Sequence, residues 1–437
     1  MSDPLTGEVT DAVLDQASGR KLPRALTPFR SPSYRKLALA LVLSTFAGGV
    51  WIVALVWEVI RTGGGPGQLS VVSTAASIGV LLPALLGGVV ADRIPQKSIL
   101  LCVAAVELAG MSLVALLSIA DVTQIWHLAA VSFVTGAGMA FYYPAYSAWL
   151  PAMVPEEDLL AVNGFEGMVR PTIGQAIGPG VAGVIVGVAN PAAAFTVAAA
   201  ASLAGLLALS VVPKTAVRRD LDAVADGHPV TSALRDMAEG FRYMMRTPWL
   251  LATLLFASLM ILVMMGPLEV LVPFLIKEKL GGGPGDHALV LAAFGIGGAI
   301  GSLVVASRPM PRRYLTVMNL MWGVGCLPFI VMGIANHVWV VVASAFVLGI
   351  LFSGPMVIWG TLLQRRVPPE LLGRVASLDF FVSISLMPIS MALAGPVADL
   401  IGLRTTFLIA GIAPTVFAVA AILIWRLPQD EVANPLD

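Results

Sequence analysis

Twelve apolar runs, each of about the 20 residues a helix needs to cross a bilayer, constrain this chain more than any other feature. They fall at 37–60, 70–91, 98–119, 125–149, 166–188, 192–212, 249–273, 287–306, 314–334, 338–361, 375–398 and 404–426. Stacked strands are excluded, because strand edges in lipid leave backbone N–H and C=O groups unpaired, whereas a helix satisfies its own. The pattern predicts an all-α integral membrane protein with 12 transmembrane helices. Only 12% of the 437 residues are charged, about half the share of an ordinary soluble domain. Basic and acidic residues number 26 each, so no bulk charge points to nucleic acid.

The loops set an orientation. Of the 26 Lys and Arg residues, 21 lie in tails and loops on the side of the N-terminus. The other side holds Arg61, Lys277, Lys279 and Arg404, and Arg170 lies within the fifth run. The positive-inside rule then predicts cytoplasmic termini. Residues 1–36 carry six basic residues and no cleavage pattern, so they are expected to be a cytoplasmic tail rather than a removed signal. Arg outnumbers Lys by 20 to 6, which points to a high-GC bacterium and its plasma (inner) membrane.

The chain divides near its middle. Six runs in 37–212 and six in 249–426 predict two bundles, separated by a cytoplasmic central loop at 213–248 and followed by a tail at 427–437. Within the central loop Leu234, Met237, Ala238, Phe241 and Met245 recur at helical spacing among Arg235, Asp236, Glu239 and Arg242, the pattern of an amphipathic helix. Two echoes imply duplication. Gly63-Gly64-Gly65-Pro66-Gly67 returns 218 residues later as Gly281-Gly282-Gly283-Pro284-Gly285, and Val154-Pro155 returns 213 residues later as Val367-Pro368. Paired echoes at nearly one offset predict parallel six-helix repeats about an axis along the membrane normal, a geometry suited to alternating access.

After the second run the chain reads Gly88-Val89-Val90-Ala91-Asp92-Arg93-Ile94-Pro95-Gln96-Lys97. Small residues there let helices approach, and Asp92 at the membrane edge can meet a basic partner or the positive N-terminus of a helix. In the fifth run Gly174 and Gly178 share a helix face, Pro179 removes a backbone donor and bends the helix, and Gly183 comes after it. The first segment resembles the G-x-L-A-D-R-x-G-R-K signature of major facilitator superfamily transporters, with Pro95 and Gln96 as departures. The second is similar to a motif of proton-coupled exporters in that superfamily, with Ala182 replacing a glycine. Trp57, Trp126-His127-Leu128, Phe141-x-x-Pro144-Ala145, Leu150-Pro151-x-x-Val154-Pro155, Glu239-Gly240-Phe241-Arg242-Tyr243 and Arg246-Thr247-Pro248 all look like one branch, the third drug:proton antiporter group. That branch includes macrolide and multidrug effluxers, siderophore exporters and lysophospholipid flippases. Tyr146 and Gln175 stand where or near where many members carry arginine.

The resemblance implies two pseudo-symmetric six-helix bundles, proton antiport, and a conformational latch made by Gly88, Asp92, Arg93 and Lys97. It also implies that the first, fourth, seventh and tenth spans line the cavity. Ionisable groups inside a span cost roughly 2.5–3.5 kcal/mol at the centre, so each requires a reason. Glu107 is the one carboxylate near mid-depth, while Glu58 and Glu269 lie on cavity-lining spans toward the exterior; these three are the proton-coupling candidates. Glu166 and Arg170, four apart, are expected to form an intrahelical ion pair. Tyr142, Tyr146 and Met264 are the candidates for the substrate wall, because aromatic and methionine surfaces suit lipophilic ligands. Asp379 and Asp399 are read as caps at the membrane interface.

Cys102 and Cys326 sit in apolar runs without metal spacing, and the four histidines occupy loops or helix ends, so no metal or cofactor site is expected. No GxxxxGK[ST] sequence is present, and no polar catalytic constellation points to an enzyme. The expected function is secondary active export of amphipathic small molecules, with protons and the lipid bilayer as further partners and a monomer as the unit. Export of a siderophore or lysolipid, and a transport-inactive scaffold or sensor, are the alternatives.

Overall fold

The computed structural model describes residues 24–84, 94–155, 158–213 and 229–436, which form helices and turns with no strand among them. The first half consists of α1 (Pro32–Arg61), α2 (Pro66–Leu81), α3 (Gln96–Ile119), α4 (Ile125–Trp149), α5 and α6 (Pro191–Ser210). Helix α5 has three consecutive parts, Leu159–Val169, a π-helical stretch Arg170–Ile177, and Gly178–Val188. An amphipathic linker helix, Pro229–Arg246, leads to the second half: α7 (Pro248–Lys279), α8 (Pro284–Ala306), α9 (Tyr314–Ile334), α10 (Val338–Arg366), α11 (Pro369–Ser385 and Met387–Ile401) and α12 (Leu403–Ile424). Eleven of these helices are long and apolar enough to cross a membrane, and α2 is a shorter apolar helix in its described part.

Several helices start with proline in the first turn, where the missing N–H costs nothing. Ser31 Oγ and Asn190 Oδ1 cap α1 and α6 by accepting the N–H of Tyr34 and Ala193, at 3.2 and 2.9 Å. The ninth span, expected to be continuous, breaks at Cys326–Leu327 because Pro328 cannot extend the preceding helix.

The sequence echoes have structural counterparts. Gly63 and Gly281 both adopt a positive φ, +81° and +64°, and the Gly65 and Gly283 N–H groups donate to the side chains of Gln68 and Asp286. Helix pairs α2–α4 and α8–α10 pack through matching glycines. A Cβ on Gly79 would run into the Phe133 carbonyl and one on Gly136 into that of Ala76; Gly297 meets Phe346 and Gly349 meets Phe294 in the same way. Without a hydrophobic driving force in lipid, such close backbone approach is what holds helices together. Gly297→Ala is therefore expected to cost about 1–3 kcal/mol by overpacking, read as a lower melting temperature of the purified protein. A melt unchanged from the parent would contradict this packing account.

In the first half α1 packs on α5 and α6, α3 on α4 and α6, and α2 on α4. The second half repeats this, with α7 on α11 and α12, α9 on α10 and α12, and α8 on α10. The halves meet chiefly through α2–α11 and α5–α8. A last short helix, Leu427–Ala433, clasps the start of α9: Glu431 accepts from the Thr316 N–H and hydroxyl at 2.6 and 2.9 Å, and Asp430 pairs with Arg366 at 2.5 Å.

Candidate functional site

Because the helices alternate in direction, the two glycine loops lie on one face of the molecule and the described chain ends on the other. Among the described residues, contact between the halves concentrates toward the glycine-loop face. A Cβ on Gly395 of α11 would sit 2.7 Å from Gly67 at the start of α2, and the Gly395 N–H donates to Ser70 Oγ at 2.9 Å. Gly183 of α5 approaches Ala288, Pro284 and Gly285 at the start of α8, and Gly295 approaches Gln175 and Pro171 further along. Helix α8 thus packs on the second and third parts of α5, and α2 chiefly on the Met387–Ile401 part of α11. Toward the terminal face the linker helix rests on the start of α11, with Gly240 against Arg374 and Leu378, and Glu239 paired with Arg374 at 2.5 Å.

The three candidate coupling carboxylates have different surroundings. Glu58 is fully buried, held by a bidentate pair with Arg61 at 2.9 Å on each oxygen, while Arg61 also reaches Asp121 of the α3–α4 loop at 2.5 Å. Glu269 is accessible although protein surrounds it on most sides. Glu107 is deep and half-accessible, within electrostatic range of Tyr142. Neither Glu107 nor Glu269 has an ion-pair partner among the described residues.

Helix irregularities position these groups. In α7 the stretch Pro267–Leu271 is π-helical, as expected of a disturbance at Pro267, and it carries Glu269. In α5 the widened turns run from Arg170 to Ile177, ahead of Pro179, and the Gly178 N–H bonds five residues back to Ile173. Pro179 lacks an N–H and Pro171 lacks another, so two normal helical bonds are missing here. Gly174 and Gly178 seat this stretch against Thr45, Phe46 and Gly49 of α1, while Gly183 faces the other half.

Three expectations about the site require correction. The Glu166–Arg170 pair does not close. Glu166 Oε1 and Arg170 Nη2 are buried without hydrogen-bond partners, and the Arg170 guanidinium lies 5.4 Å from the Tyr143 ring centroid instead. The backbone between them keeps α-helical spacing, with the Arg170 N–H on the Glu166 carbonyl, so it is the side chains and not the helix that part the pair. Met264 is fully buried with its sulfur 3.9 Å from Cys326 Sγ, so it packs α7 on α9 rather than lining a cavity. Tyr142 and Tyr146 stack with ring centroids 5.7 Å apart; Tyr142 is half-accessible, whereas Tyr146 lies behind it with its hydroxyl facing Glu166, Tyr142 and Tyr34.

Of the expected latch, Gly88, Asp92 and Arg93 lie outside the described residues. Lys97 is buried and donates from Nζ to the carbonyls of Ser210, at 2.6 Å, and Val212, while Lys36 Nζ reaches Val211 O at 3.3 Å. Both cations therefore satisfy the C-terminal end of α6, where orphan carbonyls attract positive charge. Sequence spacing carried no sign of this. It also misplaced Asp379, which is no interfacial cap: it sits well inside α11 and accepts from Trp359 Nε1 at 3.0 Å and Ser383 Oγ at 3.3 Å.

A helical membrane protein of two matching halves that meet through paired helices, with carboxylates inside its spans, has the architecture of a membrane transporter. The chain belongs to the transmembrane secretion effector family of the major facilitator superfamily, whose model matches residues 24–436. It is 27% identical over 413 residues to the multidrug efflux pump Tap of Mycolicibacterium fortuitum, covering 91% of this chain and 97% of that one. It is likewise 27% identical over 374 residues to macrolide efflux protein A of Streptococcus pyogenes, covering 82% and 88%. The crystal structure of nucleoside transporter NupG superposes with a TM-score of 0.69 over 90% of this chain and 99% of that one, at 14% identity. A bacterial homologue of the lysosomal transporter Spinster does so with 0.67 over 94% and 99%, at 13% identity, which shows a shared fold. The family and these relatives are transporters, not enzymes.

Proposed function

We propose that the protein exports amphipathic small molecules by proton antiport, through alternating access between its two halves. The observation that carries this reading is that, among the described residues, the halves touch chiefly at the glycine-loop face, above the accessible Glu269. With both termini in the cytoplasm of a bacterial inner membrane, this state is open to the inside and ready to load substrate. Tyr142, backed by the stacked Tyr146, offers an aromatic wall for a lipophilic ligand. Glu269, with Glu107 as the second candidate, takes a proton from the outer side and releases it inward, because a carboxylate moved between wet and dry surroundings changes its proton affinity. Both halves needed for the pathway come from one chain, so the monomer is the working unit. The efflux activity named for Tap and for macrolide efflux protein A supports export as the direction.

The test is the purified protein in liposomes carrying an imposed pH gradient, with a fluorescent cationic dye and an internal pH reporter followed together. Dye movement against its gradient, coupled to proton flux and abolished when the pH gradient is collapsed, is the expected result. Dye movement indifferent to the gradient, or none, would overturn proton-coupled export.

A further inference from the structure

A cavity of about 480 Å³ lies on the terminal face where α8, α9 and α10 converge, a volume within the usual range of ligand sites. Its walls are apolar, built by Val305, Met321 and Ile358 among others, and two arginines, Arg308 and Arg365, line it as well. Val304 on its rim is 42% exposed, so the cavity opens beside an apolar outer surface of the kind that faces lipid tails.

The sequence that builds the cavity is one-sided in charge, although Arg365 already has an interaction of its own. Between Asp286 and Glu370 the chain contains no acidic residue, yet five arginines: Arg308, Arg312, Arg313, Arg365 and Arg366. Arg366 is engaged by Asp430, and Glu431 by Thr316, so the acids of the C-terminal helix already have partners. The Arg308 side chain makes no hydrogen bond or ion pair among the described residues. An apolar crevice of this size beside exposed cations matches a ligand with a negative headgroup and a hydrocarbon tail. A basic pocket between spanning helices on the side rich in Lys and Arg is a recognised form of headgroup site.

We infer that the α8–α9–α10 cavity binds an anionic phospholipid, its phosphate at Arg308 and Arg365 and an acyl chain along Val305, Met321 and Ile358. The lipid fills the crevice and bridges the α8–α9 loop to the end of α10. None of Glu269, Tyr142 and Tyr146, the residues proposed for the transport pathway, lines this cavity.

Native mass spectrometry of the detergent-purified protein tests it, using phosphatidylglycerol and phosphatidylcholine of matched chains as probes. The parent is expected to retain phosphatidylglycerol preferentially, with retention falling about fivefold for each arginine removed in Arg308→Gln and Arg308→Gln/Arg365→Gln. Val305→Trp, which fills the crevice and leaves the charge intact, is expected to reduce retention as well. Equal retention of the two lipids, or undiminished phosphatidylglycerol in Arg308→Gln, would overturn the inference. Displacement of the lipid by millimolar inorganic phosphate would overturn it too, by showing a site for a bare anion. Arg308 is exposed and unpartnered, so its single variant is expected to fold even if the double variant does not.

Discussion

Glu269→Gln is expected to reduce proton-driven dye transport in liposomes to the level of empty vesicles while leaving dye binding intact. Gln keeps the size and hydrogen-bonding capacity of the side chain but cannot exchange a proton, so the variant removes titration and little else. Glu269 is the carboxylate for which this matters most. It is deep and accessible, it has no ion-pair partner among the described residues, and it rides on an irregular turn of α7, an element that packs against both α11 and α12. Glu58 is its opposite, fixed in a bidentate pair with Arg61, and Glu58→Gln is not expected to abolish coupling. Wild-type proton flux in Glu269→Gln, with loss in Glu107→Gln, would transfer the role to α3.

Gly395→Leu is expected to drive the protein out of the state described here. Even a bare Cβ at this position would lie 2.7 Å from the Gly67 backbone and 2.9 Å from the Pro66 carbonyl carbon, atoms that cannot swing aside. The side chain can be accommodated only if α2 and α11 separate at the glycine-loop face. An overpacking penalty of about 1–3 kcal/mol on this one state corresponds to a roughly 5–150-fold shift in the ratio of two conformers. Spin labels on the two glycine loops should report longer distances, and turnover should fall because the closed step is no longer reached. An unchanged distance distribution in a folded variant would show that this contact does not set the conformational balance.

Much of the architecture was legible because it rests on solvent and on local chemistry. Lipid admits only helices or closed barrels, so runs of about 20 apolar residues translate directly into spans. The glycine loops were readable as repeats, and Gly63 and Gly281 prove to share the left-handed backbone that the repeated loop requires. The same two offsets that linked the echoes, 218 and 213, also relate Gly79 to Gly297 and Gly136 to Gly349, although periodicity did not single those glycines out.

The facing of individual side chains was less legible, and the cause is geometric. Each widened turn in α5 and α7 rotates the remainder of its helix by about 100°, one residue's share of a 3.6-residue turn. Helical-wheel reasoning therefore loses its phase there. Ahead of those turns the side chains themselves decide: the backbone from Glu166 to Arg170 is regular, yet Arg170 lies at the Tyr143 ring, and Met264, expected on a cavity wall for its chemistry, meets Cys326. Partners distant in sequence were invisible for another reason. Lys97 reaching the carbonyl end of α6, and Asp379 accepting from Trp359, depend on which helices become neighbours. By itself, then, the sequence determined a duplicated helical membrane protein, because hydrophobic length and glycine-bearing turns are properties of the chain. Only the tertiary structure decided on which face the halves close and which acid is accessible at depth, because both depend on helix rotation and on contacts between segments far apart in the chain.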